Sequence, residues 1–332
     1  MSLFSSIAWS CLRRSALAGL VVGACAASAA ASASAPLATP LATPLAAPSI
    51  APFASDRIGV SARGDGDDVI LVPGLNSSPR VWTELIKALP GHRYHLVHIA
   101  GFAGKPKGGN ADGAVAASVA DEIARYIKAA GLAKPALIGH SLGGSIGLMV
   151  AARHPEALSR LMVVDMLPFM GAMFGPPGTT AQSVKPTADA ILAQMRAAEP
   201  AALQARSVAV INGMIDNVPM RAGALDDALT SDAEVGARTF HELIVTDLAP
   251  ELAQIGVPTT VLYVTPKGVG LSDEQIDGVY RAAYATLKAV ELQRVPASAH
   301  FIMWDQPERF REAVKTFLDP RGASRRSVPE QK

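Results

Sequence analysis

Ser141 stands in Gly139-His-Ser-Leu-Gly143, a Gly-x-Ser-x-Gly spacing. Ahead of it runs a short apolar stretch, 135–138, of the kind a buried parallel strand shows, and behind it Ile146, Met149 and Val150 recur at helical spacing. The order strand, sharp turn, helix puts the serine at the tip of a strained turn. Gly139 and Gly143 remove the side chains that would hold helix and strand apart. A serine hydroxyl is a weak nucleophile at neutral pH, so chemistry there also requires a histidine base, a carboxylate to orient it, and N–H groups that can receive an oxyanion.

Seven histidines are available as the base. His300 lies in Val295-Pro-Ala-Ser-Ala-His-Phe-Ile-Met-Trp304, between a strand-like run at 290–295 and a helical run at 306–317, and so falls on a loop. His92, His95 and His98 sit on or beside a strand, where a spacing of three sends successive rings to opposite faces and works against a three-ligand metal site. His140 inside the turn, His154 at a helix end and His241 in a helical run read as structural.

At this point the chain resembles the α/β-hydrolase family, from roughly Arg57 to the end of the 306–317 helix. Three motifs in the family's order carry the resemblance: Leu71-Val-Pro-Gly-Leu75-Asn-Ser-Ser-Pro-Arg-Val-Trp82 as the oxyanion loop, Gly139 to Gly143 as the nucleophile elbow, and Ser-Ala-His300 with Gln-Pro-Glu-Arg-Phe310 as the histidine loop. The branch it resembles is the esterase- and lipase-like serine hydrolases with a helical cap. The resemblance implies Ser141 as nucleophile, His300 as base, and the backbone N–H groups of Leu75 and Leu142 as oxyanion donors, each typically worth about 3 kcal/mol of transition-state stabilisation. Many relatives carry histidine before the glycine of the oxyanion loop. This chain has Pro73, which stiffens the approach to the loop by fixing φ.

The acid departs from the common pattern. In most of the family it follows the penultimate strand, here 259–264, but the turn that follows reads Thr265-Pro-Lys-Gly-Val-Gly-Leu271 and holds no carboxylate. The next acids, Asp273 and Glu274, belong to a Ser272-x-x-Gln275 capping box, which by itself explains carboxylates in a first helical turn. Leu161-Met-Val-Val-Asp165, the strand after the nucleophile helix, ends in an acid, a position resembling that used by haloalkane dehalogenases and certain lipases. Asp165 follows the serine by 24 positions, room for a helix, a turn and a strand returning to the same sheet edge. Asp165 is therefore the first candidate, Asp273 the second, and an absent or water-replaced acid the third.

Six strand candidates (68–72, 94–99, 136–138, 161–165, 259–264 and 290–295) alternate with helical patterns, which predicts a mostly parallel sheet covered by helices on both faces. Residues 167–231 interrupt the alternation and read as an inserted helical cap. Its approach, Met166, Phe169 and Met170, is apolar and directly follows the first candidate acid; it reads as a substrate-binding wall for an acyl or aromatic group or, equally, as packing between cap and core. Gly101 to Asn110 fits no phosphate loop and reads as a mobile rim with solvated lysines.

The 332 residues, 49% hydrophobic, suffice for a large core and a subdomain. Residues 57–320 are assigned to the hydrolase domain. Arg13-Arg14, the apolar 16–24 and the Ala/Ser run to Ala35 read as an export signal over 1–35, Val22-Gly-Ala-Cys25 being a lesser lipoprotein alternative. Residues 36–56 form a Pro/Ala-rich linker and 321–332 a polar tail. Cys11 and Cys25 both lie in the signal, so a cleaved chain forms no disulfide. Without the first 35 residues, 28 basic side chains face 29 acidic ones, which implies no nucleic-acid partner; no metal, organic cofactor or stable membrane span is implied either. The combined expectation is a periplasmic or secreted serine hydrolase that cleaves a small-molecule ester through an acyl-enzyme. An acyltransferase, amidase or lactonase with the same machinery and a non-catalytic binding protein of the same fold are the alternatives.

Overall fold

The computed structural model describes residues 53–319. The expected signal, most of the linker and the tail lie outside the described residues.

The strands are β1 (Ile58–Arg63), β2 (Asp67–Val72), β3 (His92–Ile99), β4 (Ala136–His140), β5 (Arg160–Val164), β6 (Thr259–Tyr263) and β7 (Val290–Arg294). They form one sheet in the order β1-β3-β2-β4-β5-β6-β7, parallel except for β1, which runs antiparallel to β3 with Ile58 opposite Ile99. Alternation sorts the strand residues between two cores. Ile70, Val72, Leu137 and Val163 face one, and Val69, Leu71, Ile138 and Met162 face the other. Burial on both faces is why β2, β4 and β5 read as continuous apolar runs.

The helices are α1 (Thr83–Ala88), α2 (Ala116–Ala129), α3 (Leu142–Arg153), α4 (Ala181–Ala197), α5 (Pro200–Met214), α6 (Val218–Leu229), α7 (Ala233–Val245), α8 (Asp273–Ala283), α9 (Ile302–Asp305) and α10 (Pro307–Leu318). None among the described residues is long and apolar enough to cross a membrane. The chain leaves β2 for β3 on one side and reaches β4 on the other, so the strand order reverses between β2 and β4. In such sheets the loops leaving the carboxyl ends diverge at this reversal, which is where ligands bind.

Between β5 and β6 the chain builds α4 to α7, with a small core of Phe169, Val184, Ala188 and Ile244. Helices α4, α5 and α6 fall within the expected cap. Helix α7 follows it and is tied to the main domain by Glu242, whose carboxylate accepts the N–H groups of Val115, Ala116 and Ala117 (2.7, 3.0 and 3.1 Å) at the start of α2. Those donors have no partner within their own helix, and a carboxylate also complements the helix dipole there.

The Gly101–Asn110 loop, expected to be a mobile rim, is pinned. Phe102 and Asn110 are buried, the Asn110 amide donates to the carbonyls of Arg57 and Ala100, and Gly101 to Gly104 bond the Thr230–Asp232 turn after α6. Glycine and lysine content suggested mobility; long-range hydrogen bonds override it.

Candidate active site

Ser141 links β4 to α3 with φ 53° and ψ −120°. That conformation costs on the order of 1–3 kcal/mol for a residue with a Cβ and persists because its surroundings fix it. The Ser141 N–H donates to the carbonyl of Val164 (2.8 Å), and its carbonyl accepts from Gly144 and Ser145 in the first turn of α3. A Cβ on Gly143 would come within 2.2 Å of the Val72 carbonyl oxygen, and one on Gly139 within 2.1 Å of the Gly143 carbonyl oxygen. Only glycine lets the turn pack this closely.

Asp165 follows β5 with φ 54°, in the left-handed region that aspartate tolerates better than most residues. Its N–H donates to the carbonyl of Leu262 (2.7 Å), which sets the carboxylate at the carboxyl ends of the strands, beside the elbow. Across 135 residues of sequence, His300 Nδ1 lies 2.6 Å from Asp165 Oδ2. A carboxylate can only accept, so Nδ1 carries the proton and a neutral ring presents an unprotonated Nε2. The two side chains keep 20% and 10% of their exposure, so the pair sits at the edge of solvent.

Asp273, the second candidate acid, is held elsewhere. Its carboxylate accepts from the Thr265 hydroxyl (2.6 Å) and from Arg294 (2.5 Å), and Ser272 and Gln275 form the expected capping box. It lines a cleft of about 260 Å³ with Ala297 and Ser298 of the histidine loop. The carboxylate paired with His300 is that of Asp165.

On the opposite side of the elbow, Leu142 is the first residue of α3, and its N–H belongs to the group that an α-helix leaves without an internal partner. Leu75 sits in the β2–α1 loop, whose Asn76 also has positive φ (54°). The two backbone N–H groups lie in the segments to which the family resemblance assigned an oxyanion hole.

The sequence profile of the alpha/beta hydrolase fold matches residues 68–307. The chain belongs to this family. Among its relatives are an sn-1-specific diacylglycerol lipase, ABHD11, of Mus musculus (27% identity over 76% of this chain and 83% of that protein) and a pimeloyl-[acyl-carrier protein] methyl ester esterase of Aeromonas hydrophila (26% identity over 79% and 99%). An esterase from Exiguobacterium antarcticum has a similar fold, with a TM-score of 0.66 at 20% identity over 79% of this chain and 95% of that one.

In this α/β hydrolase, His140, the residue before the serine, holds the elbow to the histidine loop. Its ring is fully buried 4.6 Å from that of His300, and its Nε2–H donates to the His300 carbonyl (3.1 Å). Burial, with His300 alongside, pushes its pKa well below the ordinary histidine value, so it holds the loop without adding charge beside His300.

Two carboxylates that sequence alone did not single out join cap to site. Asp305 accepts from Ala299 N–H (2.9 Å) through one oxygen and from the N–H groups of Asp216 and Asn217 (2.9 Å each) through the other, so one side chain links the histidine loop to the α5–α6 joint. Asp227 on α6 accepts from both the N–H and the hydroxyl of Ser78 (2.9 and 2.7 Å) behind the oxyanion loop. Lys267, in the turn where most relatives place the acid, bonds both oxygens of Asp216 in that same joint. Met166 is buried in the main core, Phe169 in the cap cluster, and Met170 is half-buried beside Ser145 and Glu242. Among the described residues no His, Cys, Asp and Glu cluster is suited to hold a metal ion.

Proposed function

We propose that this protein is an exported serine hydrolase that cleaves carboxylic esters through an acyl-enzyme. The observation that carries the reading is the 2.6 Å pairing of His300 Nδ1 with Asp165 beside a serine on a strained elbow. Ser141 Oγ attacks the ester carbonyl carbon while His300 Nε2 takes its proton. The carbonyl oxygen gains the electron pair and is received by the Leu75 and Leu142 N–H groups. Collapse expels the alcohol, which takes the proton from His300. Water then repeats the sequence with His300 as base, and the acid and Ser141 are released. Asp165 holds the ring in the required tautomer and balances its charge when protonated.

The ester as the scissile bond is supported by the likeness, over about three quarters of this chain, to a diacylglycerol lipase and a methyl ester esterase. In this reading the apolar acyl group meets the half-buried Met170, while Met166 and Phe169, buried in the main core and the cap cluster, serve packing between cap and core. Export rests on the Arg13-Arg14, apolar and Ala/Ser order of the first 35 residues.

The test is fluorophosphonate labelling followed by hydrolysis of nitrophenyl esters of graded acyl length, with Ser141→Ala as control. The wild type is expected to label and to hydrolyse; Ser141→Ala should do neither while melting close to wild type. Survival of activity within about tenfold in Ser141→Ala would remove the serine from the mechanism. Labelling without hydrolysis of any ester would favour acyl transfer.

A further inference from the structure

We propose that Tyr280 is a positioning residue for the Asp165 carboxylate, fixing the acid in a place that most of its family does not use. The inference rests on the triad reading above. One Asp165 oxygen, Oδ2, is taken by His300; the other, Oδ1, accepts the Val264 N–H (3.2 Å) and the Tyr280 hydroxyl (3.3 Å). The last torsion of aspartate is broad, so a carboxylate held at one oxygen alone can swing. Donors on both oxygens remove that freedom and keep Oδ2 directed at the ring.

The hydroxyl is held by a stack of tyrosines. The Tyr280 ring lies 4.0 Å from that of Tyr263 at an interplanar angle of 17°, and 6.3 Å from that of Tyr284 at 9°. Tyr263 is anchored by donating to Asp277 (2.8 Å) and Tyr284 by donating to the Met166 carbonyl (2.7 Å). Tyr280 is 7% exposed, and burial together with the Asp165 charge pushes its pKa well above the ordinary phenol value, so it remains a donor. The charged groups around this stack are Asp165, Asp277, Arg281 and Arg294, and Arg294 bonds Asp277 from β7.

The placement has a geometric logic. Asp273, Asp277 and Tyr280 recur on α8 at spacings of four and three, one face of a helix. The first two bind Arg294 on β7; the third reaches across β6 to the end of β5. The helix that follows the usual acid loop thus supports the acid of the neighbouring strand instead of supplying one.

Tyr280→Phe removes the hydroxyl and keeps the stacked ring. Its expected signature on a short-chain nitrophenyl ester is a kcat lower by about 3- to 10-fold with KM unchanged. The acid limb of the kcat/KM profile should move up by roughly half a pH unit, because a carboxylate that loses a donor holds the imidazolium more strongly. Tyr284→Phe removes a comparable buried hydroxyl that bonds Met166 instead; it should lower the melting temperature and leave the acid limb in place. In an Asp165→Asn background, adding Tyr280→Phe should change neither quantity further. A Tyr280→Phe profile superimposable on wild type at full kcat, or a Tyr284→Phe profile displaced equally, would overturn the proposal while leaving the triad standing. Wild-type rates in Asp165→Asn itself would overturn both.

Discussion

Asp165 and Asp273 differ in what their carboxylates bind, and that difference fixes what each substitution should do. Asp165→Asn keeps shape but cannot balance an imidazolium or enforce its tautomer, so kcat should fall by roughly 10²- to 10⁴-fold in steady-state assays. Asp273→Asn removes charge from a capped first turn and from a partly exposed pair with Arg294; it should cost under about 1 kcal/mol in denaturant titration and leave kcat near wild type. The reverse ranking would return the acid to the usual loop. Ser141 and His300 could be read from sequence because short-range signals mark them: glycines two residues either side of the serine, and a strand and helix bracketing the histidine loop. Asp165 could be read only as a position at a strand end. Tyr280, Asp305 and Asp227 left no trace, since each acts through a partner more than five residues away whose proximity the fold alone creates.

Among the elements, α3 and β2 meet through Gly143 with no room for a side chain. Gly143→Ala would put a methyl carbon 2.2 Å from the Val72 carbonyl oxygen, an overlap that can be relieved only by moving helix from sheet. The expected cost is about 3 kcal/mol, read as a lowered unfolding midpoint with activity lost in parallel. The five inner strands were legible because burial on one or both faces leaves apolar runs; the edge strand β7 has no buried residue and shows only Val290 and Leu292 alternating with polar neighbours. β1 was missed because Ile58 is its only buried residue and the strand ends in exposed Ser61, Ala62 and Arg63, so its pattern resembles a polar loop. The cap could be recognised as an interruption of the alternation, but its attachment could not, because Glu242, Asp227 and Asp305 look like ordinary surface acids in sequence.

For the whole molecule, buried histidines set how stability varies with pH. Burial lowers the pKa of His95 against the opposing effect of Asp68, lowers that of His98 against a bond to the Phe102 carbonyl, and lowers that of His140 most strongly. Each is neutral in the folded state where an unfolded histidine, with a pKa of about 6.5, begins to take up protons. The unfolded chain then binds more protons than the native one, so stability is full above about pH 6.5 and declines as pH falls toward the folded values, by at most about 1.4 kcal/mol per pH unit for each group. Denaturant midpoints measured at pH 7.5 and 5.5 should drop accordingly; equal midpoints would mean that these rings protonate in place. His95 has a further consequence through its setting: its Nε2 faces Asp68 (2.8 Å), near the amino end of β2 and also paired with Arg93, while Ser141, Asp165 and His300 gather beyond the carboxyl ends. The share of the scaffold's acid tolerance set by His95 is thus separable from the acid tolerance of turnover, whereas the share set by His140 sits in the elbow itself, against His300. A laboratory could reset the His95 share by replacing the Asp68–His95 pair and find the acid tolerance of turnover where it was.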